Sequence, residues 1–297
     1  MSTVIVLGDA GLDVVARHGE PITYGGDIRA SIETTAGGAG ANTAVWLAGY
    51  GAKPVLVTRV GDDSAGRQTA TELTSKGVRC AFTVDPAART FCVVVLVDST
   101  GQRTMLPDRG AAARVHPDDL DTRLLAEARH LHLSGYLLLD ESSRAAGVAA
   151  LTAARDAGLT TSVDPQAAAL LLGGGRERFL EAVRGVDLLL PNADELSALT
   201  GSPAPLTDGS ARGLLDVVGA VVATDGPGMA VWLSAEGELT MPAPEVRCVD
   251  STGAGDAFNA GLLCAWLSGA SRSTALRAGV RAGADAVQYV GAQPPRC

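Results

Sequence analysis

Residues 4–7 form an apolar run closed by Gly8-Asp9, the pattern of a buried first strand. Residues 12–35 show only weak alternation, broken by several glycines. Ala44, Val45 and Ala48 give residues 41–48 one apolar helical face. A strand is predicted at 55–60 and a helix near 65–75. Residues 91–97 are rich in β-branched side chains, and Asp98-Ser99-Thr100-Gly101 reads as their turn. From about residue 118 the rhythm becomes regular. Helices are predicted at 118–128 and 143–157, and strands at 130–133, 159–163, 186–190, 220–223 and 229–233. Phe258, Leu262, Leu263 and Trp266 share one face of a last helix starting near Ala254-Gly255.

Apolar strands alternating with helices predict an α/β fold whose central, mostly parallel sheet is covered on both faces. The less regular segments, approximately 12–35 and 78–106, predict two insertions that pair into a small β lid. One domain over 1–297 accounts for the whole pattern.

Composition narrows the class. Apolar residues make up 46% of the 297, which excludes disorder. The net charge is -9, and no basic run or aromatic stripe offers a nucleic-acid track. Cys80, Cys92, Cys248, Cys264 and Cys297 are odd in number and form no Cys-x-x-Cys pair, which fits a reduced protein. The N-terminus carries no basic leader and no stretch has the apolar length of a membrane span, so the expected location is cytoplasmic. His18, His116, His130 and His132 lack the spacing of a zinc set.

The chemistry concentrates in Asp250-Ser251-Thr252-Gly253-Ala254-Gly255-Asp256-Ala257-Phe258. A glycine-rich turn opening a helix presents backbone N–H groups to an anion. A carboxylate in the first helical turn, Asp256, can orient and deprotonate an attacking hydroxyl. That combination points to phosphoryl transfer. No Gly-x-x-x-x-Gly-Lys-[Ser/Thr] occurs, and Gly253 to Phe258 lacks the last glycine of a dinucleotide signature.

Four further clusters are candidates. Gly37-Gly38-Ala39-Gly40-Ala41-Asn42 precedes a helix; Asn42 either caps it or hydrogen-bonds a polyhydroxy ligand. Asp13 either forms a turn or accepts two hydroxyl hydrogen bonds. In Pro191-Asn192-Ala193-Asp194-Glu195, Asn192 and Glu195 fit a capping box, and Glu195 equally fits a water-mediated magnesium ligand. Thr224-Asp225-Gly226 and Asp164-Pro165-Gln166 end strands at an edge where nucleotides bind. Arg103 could reach a substrate from the lid segment.

These residues resemble the ribokinase-like, or PfkB, carbohydrate kinases over nearly the whole chain. The resemblance implies a three-layer sandwich with a small β lid, and ATP-dependent phosphorylation of a primary hydroxyl on a ribose-like or other free monosaccharide. It implies Asp256 as catalytic base, with Gly253, Ala254 and Gly255 as anion hole. It implies Asn192, Thr224 and Gly226 at the nucleotide, and Glu195 near Mg²⁺, acting through water. It implies Asp13, Gly38 and Asn42 at the sugar, and the backbone oxygens of Asp250 and Thr252 at a monovalent cation such as K⁺. The segment Arg103-Thr104-Met105-Leu106-Pro107-Asp108-Arg109-Gly110 resembles the return of the lid, through which many of these proteins form homodimers. Three departures stand out: Ser251 replaces the usual threonine, Ala39 a ribokinase lysine, and Gln166 the asparagine of Asp-Pro-Asn. A nucleoside or 2-keto-3-deoxygluconate as acceptor, or a non-catalytic sugar or nucleotide sensor, are the competing readings.

Overall fold

The computed structural model describes residues 2–202, 206, 207 and 209–295. Thirteen strands are found among them: β1 (Thr3–Leu7), β2 (Gly11–His18), β3 (Ala30–Gly37), β4 (Lys53–Gly61), β5 (Arg79–Asp85), β6 (Phe91–Val97), β7 (Arg103–Asp108), β8 (His130–Ser134), β9 (Thr160–Asp164), β10 (Leu188–Leu189), β11 (Ala220–Thr224), β12 (Met229–Ser234) and β13 (Gly237–Pro242). Nine build one sheet in the order β13-β12-β11-β10-β9-β8-β1-β4-β5; four build a second, β3-β2-β6-β7. The large sheet is parallel from β5 to β11, and β12 and β13 add as antiparallel edge strands.

β1 shows why its sequence is an unbroken apolar run. Ile5 and Leu7 enter one hydrophobic cluster with Leu131, Leu133, Leu151 and Phe179. Val4 and Val6 enter the other, with Trp46, Phe258, Leu262 and Leu276. Successive side chains point to opposite faces, and both faces are covered. β1 is also the reversal point of the sheet, pairing β4 on one side and β8 on the other. Ligands in open parallel sheets bind beyond the carboxyl ends of strands at such a point.

In the small sheet, Phe91, Val93, Val95, Val97 and Ala112 form a separate cluster on the inner face, with Val15 against it. Residues 12–35 resolve into β2 and β3, antiparallel to each other. Residues 79–85, within the span assigned to the second insertion, instead extend the large sheet as β5, parallel to β4. The second pair of small-sheet strands therefore begins at Phe91.

The helix expected over 118–128 is broken. A 3-10 turn at Pro117–Asp119 is capped by His116, and only Arg123–Glu127 is α-helical. Asp119 accepts from the His116 backbone N–H and Asp121 from that of Arg123, so short acidic side chains take N–H groups that a helix would need. The strand expected over 186–190 pairs only at Leu188–Leu189. No helix among the described residues is long and apolar enough to cross a membrane. Cys80, Cys92, Cys248 and Cys264 are free thiols; Cys297 lies outside the described residues.

Candidate active site

The glycine turn and the strand ends meet in one cavity of about 190 Å³. It is lined by Asp164, Asn192, Glu195, Thr224, Ser251, Asp256, Asn259 and the Gly253-Ala254-Gly255 turn, among others. The helix Ala254–Leu267 starts here, with Gly253 as its N-cap. Gly253 has φ 74°, and a Cβ there would lie 2.4 Å from the Ala292 carbonyl oxygen. Both facts require glycine at this position. A Cβ at Gly255 would meet nothing within 4 Å, so the turn faces open space. The helix-start N–H groups and the helix dipole favour an anion there.

Asp256 lies in the first turn of that helix, buried. Asn42 Nδ2 donates to its Oδ2 (3.1 Å) and Thr43 Oγ1 to its Oδ1 (3.2 Å). Both donors belong to the helix Ala39–Gly49, which packs beside Ala254–Leu267. Burial first, then the charge of Asp164, holds the Asp256 carboxyl well above the usual range; the Asn42 and Thr43 hydrogen bonds pull the other way.

Asp164 ends β9 and accepts from Asn259 Nδ2 at 2.7 Å. Burial raises its pKa as well. Asn192 and Glu195 form a reciprocal cap: Asn192 Oδ1 accepts from Glu195 N (2.9 Å) and Glu195 Oε2 from Asn192 N (3.0 Å). Asn192 Nδ2 also donates to Glu195 Oε1 (2.8 Å), so the carboxylate is fixed in direction. Burial, followed by the charge of Asp164, raises the Glu195 pKa. No lysine or arginine among the described residues lines this cavity. Two buried oxygen donors without a cationic partner fit a magnesium ion that keeps most of its waters. Among the described residues no group of three His, Cys, Asp or Glu forms a complete metal cage.

Thr224 lines the cavity and pairs with Asn192 through a single parallel bridge. Gly226, with φ 44°, stands in the open turn between β11 and β12, outside the cavity lining. Gly38 has φ 98° and packs on the Asp9 backbone, where a Cβ would lie 2.7 Å from the carbonyl oxygen. Asp13 packs its carboxylate against Gly37, and burial, then the Asp9 charge, lifts its pKa to about 6. Asn42, whose N–H donates to the Gly38 carbonyl at 2.9 Å, thus links this segment to Asp256.

The side chains of Arg103, Asp250 and Thr252 form one polar cluster. Arg103 commits both terminal nitrogens to Asp250 and Ser251 rather than to the cavity. Asp250 and Thr252 bond to each other, Thr252 Oγ1 donating to Asp250 Oδ1 at 2.6 Å. Several contributors had escaped the sequence reading. Arg109 lies 4.3 Å from the Tyr136 ring centroid, and its Nε donates to Asp140 at 3.0 Å. Its Nη1 is 3.5 Å from Asp9, which places a cation beside that carboxylate. Gln293 Nε2 donates to Asn42 Oδ1 (3.0 Å) and Ala36 O (3.0 Å), while its Oε1 accepts from Lys76. Only Asn259 had a local signal, one helical turn after Asp256.

Comparison with known proteins agrees with this geometry. Residues 1–296 match the family described as pfkB family carbohydrate kinase. An ATP-dependent ribose-1-phosphate kinase of Halopiger xanaduensis is 32% identical over 78% of this chain and 73% of its own length. A probable chloroplastic fructokinase-6 of Arabidopsis thaliana is 30% identical over 76% of this chain and 61% of its own length. In fold, a putative ribokinase II from E. coli, solved with ATP and Mg²⁺, superposes with TM-score 0.87 at 23% identity, over 98% of this chain and 94% of that one. A full-length family match, a shared two-sheet architecture and an acid placed at an anion-receptive helix start have one common meaning: the chain belongs to the pfkB family of carbohydrate kinases.

Proposed function

We propose that this protein transfers the terminal phosphoryl group of ATP to a primary hydroxyl of a small sugar. The carrying observation is the placement of Asp256 at the Gly253–Gly255 helix start, in a cavity shared with Glu195 and Thr224. The names of the relatives, a fructokinase and a ribose-1-phosphate kinase, support a sugar or sugar phosphate as acceptor.

In this reading Asp256 orients the acceptor hydroxyl and takes its proton as the new O–P bond forms. Asn42 and Thr43 fix the carboxylate and favour its ionised form. The N–H groups at 253–255 hold the transferring phosphoryl oxygens as charge develops. Thr224 and Gly226, with Asn192, flank the nucleotide. Glu195 and Asp164 would hold magnesium, Glu195 through water; the ion neutralises phosphate charge when bound. Asp13, Gly38 and Asn42 receive the sugar hydroxyls, and the small sheet serves as a lid over them. Water exclusion beneath it favours the sugar over hydrolysis.

The small sheet also supports a homodimer. Register places Ile32 beside Ala16 and Leu96, and Leu106 beside Val94 and Val14, all on the face away from the inner cluster. Ile32 is 65% exposed and Leu106 55%. A second copy of this sheet is the occupant that matches an apolar face of this kind.

The deciding experiment is ATP-to-ADP conversion with Mg²⁺ across ribose, fructose, ribose-1-phosphate, 2-keto-3-deoxygluconate and nucleosides, with mass detection of product. One phosphorylated sugar supports the reading. A phosphorylated nucleoside alone replaces the substrate class. Binding of acceptor and ATP without any product favours a sensor.

A further inference from the structure

Lys76, Gln293, Asn42 and Asp256 form a single hydrogen-bond chain with one direction. Lys76, which closes the helix Ser64–Ser75, donates through Nζ to Gln293 Oε1. Gln293 Nε2 donates to Asn42 Oδ1 (3.0 Å) and to the Ala36 carbonyl (3.0 Å). Asn42 Nδ2 donates to Asp256 Oδ2 (3.1 Å). The segment that carries Gln293 is anchored separately. The Ala292 carbonyl accepts from Trp46 Nε1 (3.0 Å), and Gly291 N donates to Asp250 Oδ2 (3.0 Å). Trp46 stands one helical turn after Asn42, so one face of the helix Ala39–Gly49 meets both Ala292 and Gln293.

Only one sense of this chain satisfies every member. An ammonium has donors and no acceptor, so Lys76 requires the oxygen of the Gln293 amide. The nitrogen is left for the Ala36 carbonyl and for Asn42. A reversed Gln293 would set its NH2 group against the ammonium and its oxygen against the Ala36 carbonyl. A reversed Asn42 would set two NH2 groups together and turn its oxygen on Asp256. The Asn42 amide is therefore kept as a donor to the carboxyl group. Thr43 is less selective, because a hydroxyl can rotate to accept from the acid form.

We infer that Gln293, oriented by Lys76, is a positioning residue that locks the Asn42 amide as a donor to Asp256. Its effect on turnover rests on the reading of Asp256 as the base. A donor favours the carboxylate, which can take a proton; an acceptor would favour the acid, which cannot. Burial, then the charges of Asp164 at the end of β9 and of Asp9 after β1, favour the acid. Glu195 lines the same cavity, and Arg109 stands at Asp9. Asn42 opposes that trend, and Gln293 removes the alternative orientation in which Asn42 would accommodate the acid.

The test follows the Asp256 carboxyl by carbon NMR in the full chain labelled at aspartate, with Asp256→Asn identifying its signal. Neither nucleotide nor acceptor is needed. Gln293→Met keeps the side-chain length and removes its hydrogen bonds. Gln293→Glu keeps an acceptor for Lys76 but faces Asn42 with oxygen alone. In both variants Asp256 is expected to titrate at higher pH than in the wild type. Gln293→Glu is expected to keep the wild-type melting midpoint, because the bond to Lys76 remains. With an acceptor identified, kcat falls about tenfold in both, in proportion to one misplaced hydrogen bond to a charged group. The acid limb of the kcat profile moves to higher pH, and KM for ATP stays unchanged. A Gln293→Met variant whose Asp256 titrates as in the wild type overturns the inference, whatever its melting midpoint. If Gln293→Met does not fold, Gln293→Glu decides, its added charge being paired with Lys76, and an unmoved titration there overturns the inference. A moved titration in a protein that phosphorylates no acceptor supports the positioning role and removes the kinase reading.

Discussion

Asp256 and Asp13 are both carboxyls whose pKa is raised by burial and a neighbouring acid. At Asp256 the burial and the Asp164 charge prevail, and the two donors Asn42 and Thr43 oppose the shift. Asp256→Asn removes the base and relieves that repulsion. Turnover is expected to fall about 10²- to 10⁴-fold with the melting midpoint unchanged or raised. A circular dichroism melt beside the kinase assay checks both parts. Asp13 is a pH-dependent liability. Its folded pKa is raised from 3.8 to about 6, so the folded state holds a proton that the unfolded state has already lost between these values. Stability from this group is intact below the lower value and declines as pH rises to the upper one, by up to ~3 kcal/mol. Asp13→Asn is expected to flatten this decline in urea titrations from pH 4 to pH 7, and to weaken acceptor binding. An unchanged pH slope in the variant would assign the decline to other groups.

At the level of elements, the glycine turn makes a sharp contrast. Gly253→Ala puts a Cβ into a left-handed residue and against the fixed Ala292 carbonyl. The cost is at least ~1–2 kcal/mol from conformation alone, seen as a lower melting midpoint. Gly255→Ala meets open space, so it is expected to fold normally and lose ATP affinity, measured by calorimetry. Helix starts of this kind were legible because the apolar positions 258, 262 and 263 follow at helical spacing. Strands buried on both faces, such as β1 and β11, were legible as apolar runs. The strand β5 was not: its edge position leaves it polar and half exposed, so its sequence resembles the irregular small-sheet segments. The broken helix after residue 117 failed for a local reason, since Asp119 and Asp121 compete for backbone N–H groups while keeping a helical composition. The helix Arg272–Ala286 drew no expectation at all, though it packs its apolar stripe on Ala254–Leu267. Within the site, motif residues were visible because glycines and acids cluster locally. Arg109 and Gln293 were not, because their partners are brought to them only by the fold.

For the whole molecule, the division into a large and a small sheet decides how association and closure are related. The outer face of the small sheet carries Ile32 and Leu106, while its inner face, with Val15, Val93 and Val95, is packed against Ala112. Leu106→Asp is expected to shift a dimer to monomer in sedimentation velocity while leaving the monomer folded. A wild type that sediments as a monomer at micromolar concentration would remove the dimer reading. Side-chain contacts that span most of the chain meet at the cleft. Asn42 reaches Asp256 across 214 positions and Gln293 across 251. Asp256 is therefore steadied by Asn42, far from it in sequence, and Asn42 is itself held by Gln293, far along the chain from Asn42. Contacts between such distant positions repay their loop-closure entropy only late in folding. A ribosome-bound chain can bury β1 and much of the large sheet before residue 293 has emerged, yet it cannot lock Asn42 against Gln293. Competence to handle a phosphate is then among the final properties the nascent protein acquires, which spares the cell a half-made kinase.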